Sequence, residues 1–424
     1  MKTQLASPDK CLATLSGAST FDFHSHFHSH FHSLNPKPSA MISRLPSVFQ
    51  APFILPVLAL FFQWMTTAAA QQAEPGTEAL KKLFDAASIG VEASYQGEYQ
   101  GTLEGKTVAA QVVARGDRCF HALVLNGGLP GDGWDSGDYR LLESGPLEQN
   151  RASFHSAGED GSAAVLDSSG FTVTLSGKSA LLRRVERKSP TLGLVAPPGA
   201  IVLFDVKKGS QNLESFETRK DIEGLTIPML YEGNLLAGSV TKQRFTDYSL
   251  HAEFLTGFEP ENIPWRRADS GVYLHSSYEI AIGDSFGFDF DLTGTSGPTP
   301  PKFFCTQLQQ QKFAVLKGAR HPTSPRVCGS VFTYPSRVPN ACFPPLVWQT
   351  LDIDFKAPRF DGSGTKTADA IISVKLNGHL NVDNQIVPRP TPHGFKTEAP
   401  TGPIWFEAFG RRVMYRNIWV VEKK

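Results

Sequence analysis

The chain has no charge of one sign to spare. Its 41 Lys and Arg are matched by 41 Asp and Glu, and only 19% of its 424 residues are charged. That balance argues against a nucleic-acid or strongly anionic partner. Cysteine is sparse, at five (Cys11, Cys119, Cys305, Cys328, Cys342), and no C-x-x-C occurs, so a zinc-finger or thioredoxin reading has no support. No G-x-x-x-x-G-K-[ST] phosphate cradle is present, and Gly127–Asp135 is a glycine cluster of the kind that forms a loop. No internal repeat is seen, and no long helical period follows Ala200. What the chain does have is turn residues, Gly 37 and Pro 30, together with Phe 30 to fill a core.

The N-terminal region reads as three pieces. Residues 1–40 contain FDFHSHFHSHFHS, with His24, His26, His28, His30 and His32. A metal-binding tract is one reading. We favour a spurious N-terminal extension, because Met41 opens a leader-like stretch. Arg44 precedes the apolar run Ala51–Phe62, and Ala68, Ala69 and Ala70 supply a small-residue cleavage site. The run is short and proline-broken, so no stable membrane span is expected after the leader (41–70) is removed. The expected location is periplasmic or extracellular. Residues 71–90 carry Leu80, Leu83, Phe84 and Ala87 at helical spacing and predict one short helix.

From Val91 to Lys188 the pattern turns to strands, among them Thr107–Val113, Cys119–Leu125, Phe171–Leu175 and Ala180–Val185. We expect a small β domain there, then a proline-marked linker over 189–199. Strands recur from Ala200 to the C-terminus, as in an all-β sandwich. Asn377-Gly378 between two strand patterns predicts a type I′ hairpin.

Strand side chains alternate between faces. Tyr248, Leu250, Ala252 and Phe254 share one face, which leaves Ser249, His251 and Glu253 on the other. Tyr278, Ile280 and Ile282 alternate with Glu279, and Asp284 follows that strand. Asp352 and Asp354 alternate with Leu351, Ile353 and Phe355; Trp405 and Glu407 alternate with Ile404 and Phe406. The expectation is that these polar faces line one concave groove, where carboxylates accept sugar hydroxyls and Trp405 or Trp348 offers an aromatic plate. Asp352, Asp354 and Asp361 could serve a structural calcium, but EF-hand-like spacing is missing. No cofactor is expected.

The order of motifs carries a resemblance. Phe245-x-Asp-Tyr-x-Leu, Glu253-Phe254, Ser270-Gly-Val-Tyr-Leu, Tyr278-Glu-Ile, Asp284-Ser-Phe-Gly, Cys328-Gly and Asn340-Ala-Cys342 follow one another. Then come Trp348-Gln-Thr, Asp352-Ile, Ala357-Pro-Arg-Phe-Asp, Asn377-Gly, Thr401-Gly-Pro and Tyr415-Arg-Asn-Ile-Trp. Residues 200–424 resemble the 3-keto-disaccharide hydrolase domain family. The resemblance implies a concanavalin-like β-jelly-roll sandwich, preceded here by the small β domain, and a carbohydrate partner oxidised at C3. It implies lyase or hydrolase chemistry with Glu279 as base and Glu253 and Asp284 as further catalytic candidates. Substrate contacts would come from His251, Asp269, Trp405 and Glu407. It also implies a Cys328–Cys342 disulfide. An ordinary two-carboxylate glycosidase would use Glu253 with Glu279. The chain departs from the family pattern at Asp269, where the pattern has Asn, and at Ala281, Leu376 and Glu407-Ala-Phe-Gly, and Phe288–Arg326 is an insertion. Those departures keep a non-catalytic glycan-binding module as the rival reading.

Overall fold

The computed structural model describes residues 77–134, 139–156, 161–217, 219–221, 224–226, 228–262, 266–287, 327–334 and 340–424. The histidine tract, the leader, Cys11, Cys305 and the whole insertion lie outside the described residues. Residues 73–424 cluster as one compact unit.

The helix expected over 71–90 is two short ones, α1 (Thr77–Phe84) and α2 (Ala86–Ile89), and a third, α3 (Val91–Tyr95), opens the segment expected to be strands. Asp85 breaks the run: its carboxylate accepts the Ala87 N–H at 3.0 Å and so caps α2. Gly90, at φ 90°, ends α2. The apolar spacing still has its use, because Leu80, Leu83 and Phe84 pack with Tyr231, Leu255 and Met414.

A closed barrel follows. Its eight antiparallel strands are β1 (Gly97–Leu103), β2 (Lys106–Ala114), β3 (Phe120–Asn126), β4 (Tyr139–Ser144), β5 (Ala152–Ser156), β6 (Ala163–Asp167), β7 (Gly170–Leu175) and β8 (Lys178–Val185). They run in sequence order around the wall, and β1 pairing with β8 closes it. Closure removes both sheet edges. Tyr99, Val112, Phe120, Val124, Phe154 and Phe171 are among the side chains of its packed core.

Thirteen further strands build a sandwich. They are β9 (Ile201–Phe204), β10 (Phe216–Glu217), β11 (Leu230–Tyr231), β12 (Asn234–Leu236), β13 (Ser239–Thr241), β14 (Tyr248–Thr256), β15 (Ser270–Leu274) and β16 (Tyr278–Ile282), then β17 (Gln349–Lys356), β18 (Ala370–Leu376), β19 (His379–Val387), β20 (Trp405–Phe406) and β21 (Val413–Glu422). The larger sheet has the order β11-β12-β21-β14-β17-β18-β19, with β9 also on β21; the smaller is β10-β13-β20-β15-β16. Between them lies one apolar core that takes Tyr248, Leu250, Ala252 and Phe254 from β14 and Val272, Leu274, Tyr278, Ile280 and Ile282 from the opposite sheet. This is the all-β jelly-roll sandwich that the motif order implied. Asn377 and Gly378 both take positive φ, 51° and 82°, as a type I′ turn requires.

Barrel and sandwich touch through specific contacts. The His121 ring lies 2.9 Å from the Gly287 carbonyl, and Arg267 donates to the Ala114 carbonyl at 3.3 Å. Gly287 has φ 63°, and a Cβ there would stand 2.3 Å from a Val113 methyl. Only glycine permits that approach. Residues 189–194, expected as a linker, form a strap on the larger sheet: Ser189 and Thr191 hydrogen-bond the Thr350 hydroxyl, and Thr191 donates to Asp352 at 2.9 Å.

Candidate active site

The expected single groove is not formed. Alternation along each strand is as read, but the core sits between the two sheets, so their polar faces point to opposite sides of the sandwich.

On the outer face of the larger sheet, Glu253 is 2% exposed and fully engaged. Arg416 Nε donates to it at 2.7 Å, Asn417 Nδ2 at 2.9 Å and the Gly193 backbone at 2.6 Å. Beside it, His251 Nδ1 lies 2.6 Å from Asp352 and its ring stacks on Trp419 at 4.9 Å. The strap covers this cluster. Glu253 and His251 therefore hold the fold and do not join Glu279. Trp348 belongs to this side as well, with the Arg416 guanidinium 3.9 Å above its ring. Asp284 is placed elsewhere again. It forms a fully buried ion pair with Arg267 at 2.8 Å, and its N–H donates to the Arg267 carbonyl. Burial pushes its carboxyl pKa up, against the pull of the Arg267 charge. This pair ties the end of β16 to the barrel contact.

Glu279 stands on the outer face of the smaller sheet with different company. The strand registers place Trp405 beside Tyr273 and Tyr273 beside Glu279, and the two aromatic rings stack at 4.4 Å. Glu407 joins them two residues beyond Trp405: its N–H donates to the Gly271 carbonyl, and the Tyr273 hydroxyl lies 3.4 Å from its Oε1. Burial and the charges of both Glu279 and Glu407 push the Tyr273 phenol far above its ordinary range. That phenol stays protonated and serves only as a neutral hydrogen-bond partner.

Gly271 explains how these groups fit. A Cβ at this position would lie 2.8 Å from Tyr273 Cε2 and 3.0 Å from Glu279 Cγ. The missing side chain is the space that lets both lean together. Asp269 lies on the same face by strand alternation and is half-buried. The edge of β16 is closed by 327–334: Phe332 N–H donates to the Glu279 carbonyl and Ala281 N–H to the Ser330 carbonyl. Thr391 Oγ1 accepts the Glu279 N–H at 3.0 Å, and Phe395, on the same loop and exposed, lies 6.3 Å from the Trp405 ring. Motif order and acid placement do not single out Tyr273; the signal that could have found it is a Tyr two residues after a strand glycine.

Of the positions that depart from the family pattern, Ala281 pairs with Gly271 on this face, and Phe409 is half-buried beneath the Arg266 guanidinium. Leu376 is a core residue and not part of a groove. Cys328 and Cys342 are free, buried thiols; their side chains interact, but the expected disulfide is not formed in this structure. Among the described residues no group of three His, Cys, Asp or Glu is gathered around a metal position, and no helix is long and apolar enough to cross a membrane. Asp352 is held by His251, Asp354 by Ser249 and Lys423, and Asp361 caps its own turn at Ser363.

Fold and site together define an all-β sandwich protein with two acids and two stacked aromatic rings gathered on one outer face. The chain belongs to the 3-keto-α-glucoside-1,2-lyase-like domain family, whose pattern matches residues 199–421, more than half of its length. Two solved structures from Parabacteroides distasonis ATCC 8503, both assigned provisionally as glycosyl hydrolases, are similar to it. One, at 2.13 Å resolution, is 23% identical with a TM-score of 0.38 and covers 54% of this chain and 85% of its own. The other, at 1.70 Å, is 12% identical with a TM-score of 0.30 and covers 54% of this chain and 99% of its own. No curated protein matches the sequence.

Proposed function

We propose that this protein cleaves glycosides oxidised at C3, as a lyase or hydrolase, on the outer face of the smaller sheet. The observation that carries the reading is the approach of Glu279 and Glu407 to one protonated phenol, Tyr273, beside the stacked indole of Trp405. A 3-keto group acidifies the C2 proton of the sugar ring. Glu279 takes that proton, and the negative charge collects on the C3 oxygen, where a neutral donor stabilises it. The C1–oxygen bond then breaks, the leaving oxygen takes a proton, and a C1–C2 double bond remains. Release at this stage is the lyase outcome; addition of water at C1 is the hydrolase outcome. Burial of the site strengthens its hydrogen bonds.

The test is turnover of a 3-keto-disaccharide by wild type and Glu279→Gln, with thermal melts to show both folded. Gln keeps the shape and loses the base, so the rate should fall by about 10²–10⁴-fold. Full activity in the folded variant would remove Glu279 as the base. The rival reading, a glycan-binding module without catalysis, is favoured by Ala281, which puts a methyl group opposite Gly271. It requires wild type to bind 3-keto-glycosides and leave them intact. The leader over 41–70 supports export to the periplasm or beyond as the setting for either.

A further inference from the structure

A cavity of about 350 Å³ opens where the end of β8, the strap and the loop ahead of β17 meet. Its walls are largely apolar, with Trp348, Phe343, Leu346 and Leu192 contributing. One wall is stiffened by Arg187. That guanidinium grips the buried Glu98 carboxylate through two nitrogens, donates to the Pro130 carbonyl at 2.7 Å and lies 5.0 Å from the Phe343 ring centre. Arg187 is thus spent on structure.

Two other cations line the same space. Arg184 is exposed at the rim, held in place by the Ser94 carbonyl and by the bare Cα of Gly97, where an added Cβ would sit 3.1 Å from the guanidinium. Lys188 is exposed and has no ion-pair partner among the described residues. Glu186 is the one exposed acid of the lining. An indole, an apolar wall and a pair of cations suit a ring with one apolar face and one anionic edge. The volume is near the lower end for ligand sites, enough for a small saccharide.

We propose that this cavity is a second carbohydrate site, specific for a sugar unit that carries a carboxylate, such as a uronic acid. The ring lies against Trp348, and its carboxylate faces Lys188 and Arg184. The site is separate from Glu279. Trp348 carries Arg416, the partner of Glu253, on the side of the larger sheet. A bound acidic unit here would hold a glycan to the protein without entering the reaction.

The experiment titrates the full chain with methyl glucuronide and with methyl glucoside, by calorimetry and tryptophan fluorescence. The glucuronide should saturate, with the glucoside at least about tenfold weaker, in keeping with a charge-assisted contact. Lys188→Glu should raise Kd for the glucuronide at least about tenfold with an unchanged melt, because an exposed side chain is replaced. Trp348→Leu should abolish both binding and the fluorescence response. Glu279→Gln should bind the glucuronide as wild type does. Absence of binding, equal affinity for the two sugars, an unchanged Kd in Lys188→Glu or a lost site in Glu279→Gln would each overturn the proposal. Since the readout is equilibrium binding, it stands or falls apart from any turnover at Glu279.

Discussion

Glu253 and Glu279, the two acids that a glycosidase reading would pair, occupy opposite outer faces of the sandwich. Glu253 is bound to Arg416 at 2.7 Å under the strap, and Glu279 stands beside Tyr273 on the smaller sheet. A two-carboxylate mechanism needs its acids about 5–10 Å apart across one sugar bond. These two have the apolar core between them.

Substitution should separate their roles. Glu253→Gln keeps one hydrogen-bond acceptor but loses the charge opposite Arg416. It should lower stability by about 1–3 kcal/mol, the usual scale for a charged hydrogen bond, and leave turnover of a 3-keto-glycoside within a few-fold. Denaturant melts and initial rates measured side by side with Glu279→Gln decide the matter. A Glu253→Gln protein that melts like wild type and has lost its activity would reverse the assignment.

Gly271→Ala should damage the site from within the sheet. The new methyl meets Tyr273 Cε2 and Glu279 Cγ at 2.8 and 3.0 Å, so one of them must move. We expect a stability loss of about 1–3 kcal/mol from overpacking and a larger proportional loss of kcat than of KM. Kinetics of the soluble variant provide the check. Wild-type kcat would mean that the convergence over Gly271 is not used.

Acid should unfold the protein partly through His275. Its imidazole contacts the edge of Phe355 at 4.7 Å, and burial lowers its pKa from 6.5 to about 4. The folded state thus holds the neutral ring while the unfolded chain takes up a proton below pH 6.5. Stability from this group is full above pH 6.5 and drains away as pH falls toward 4, by about 3 kcal/mol in all. His275→Asn, chosen because Asn tolerates the φ of 52° at this turn, should flatten that slope in melts taken between pH 7 and 4. His121, also buried and pushed down, should keep part of it.

Expression with export should yield a chain beginning at Gln71. N-terminal sequencing reads this directly. A mature form that retains His24–His32 would show that residues 1–40 are part of the working protein.

Alternation alone determined which residues of each strand face inward, because a strand has period two whatever surrounds it. Hence Tyr248, Leu250 and Phe254, and equally Tyr278, Ile280 and Ile282, are legible as core from the order of residues alone. The Asn377-Gly378 turn is legible for a similar local reason: the left-handed backbone it needs is a property of those two residues. The family followed from the order of short motifs. Alternation fixes a face but not the sheet that bears it. Whether Glu253 and Glu279 meet depends on which strands pair, and pairing here joins positions as distant as Phe254 and Tyr415 or Tyr273 and Trp405. Only the tertiary structure could decide that Glu253 goes to Arg416 under the strap, that Asp284 goes to Arg267 against the barrel, and that Tyr273, Glu407 and the space above Gly271 gather around Glu279. Glu253 with Arg416 and Tyr273 with Glu407 close loops of more than 130 residues, and nothing within a strand's own neighbours records which distant partner it will find.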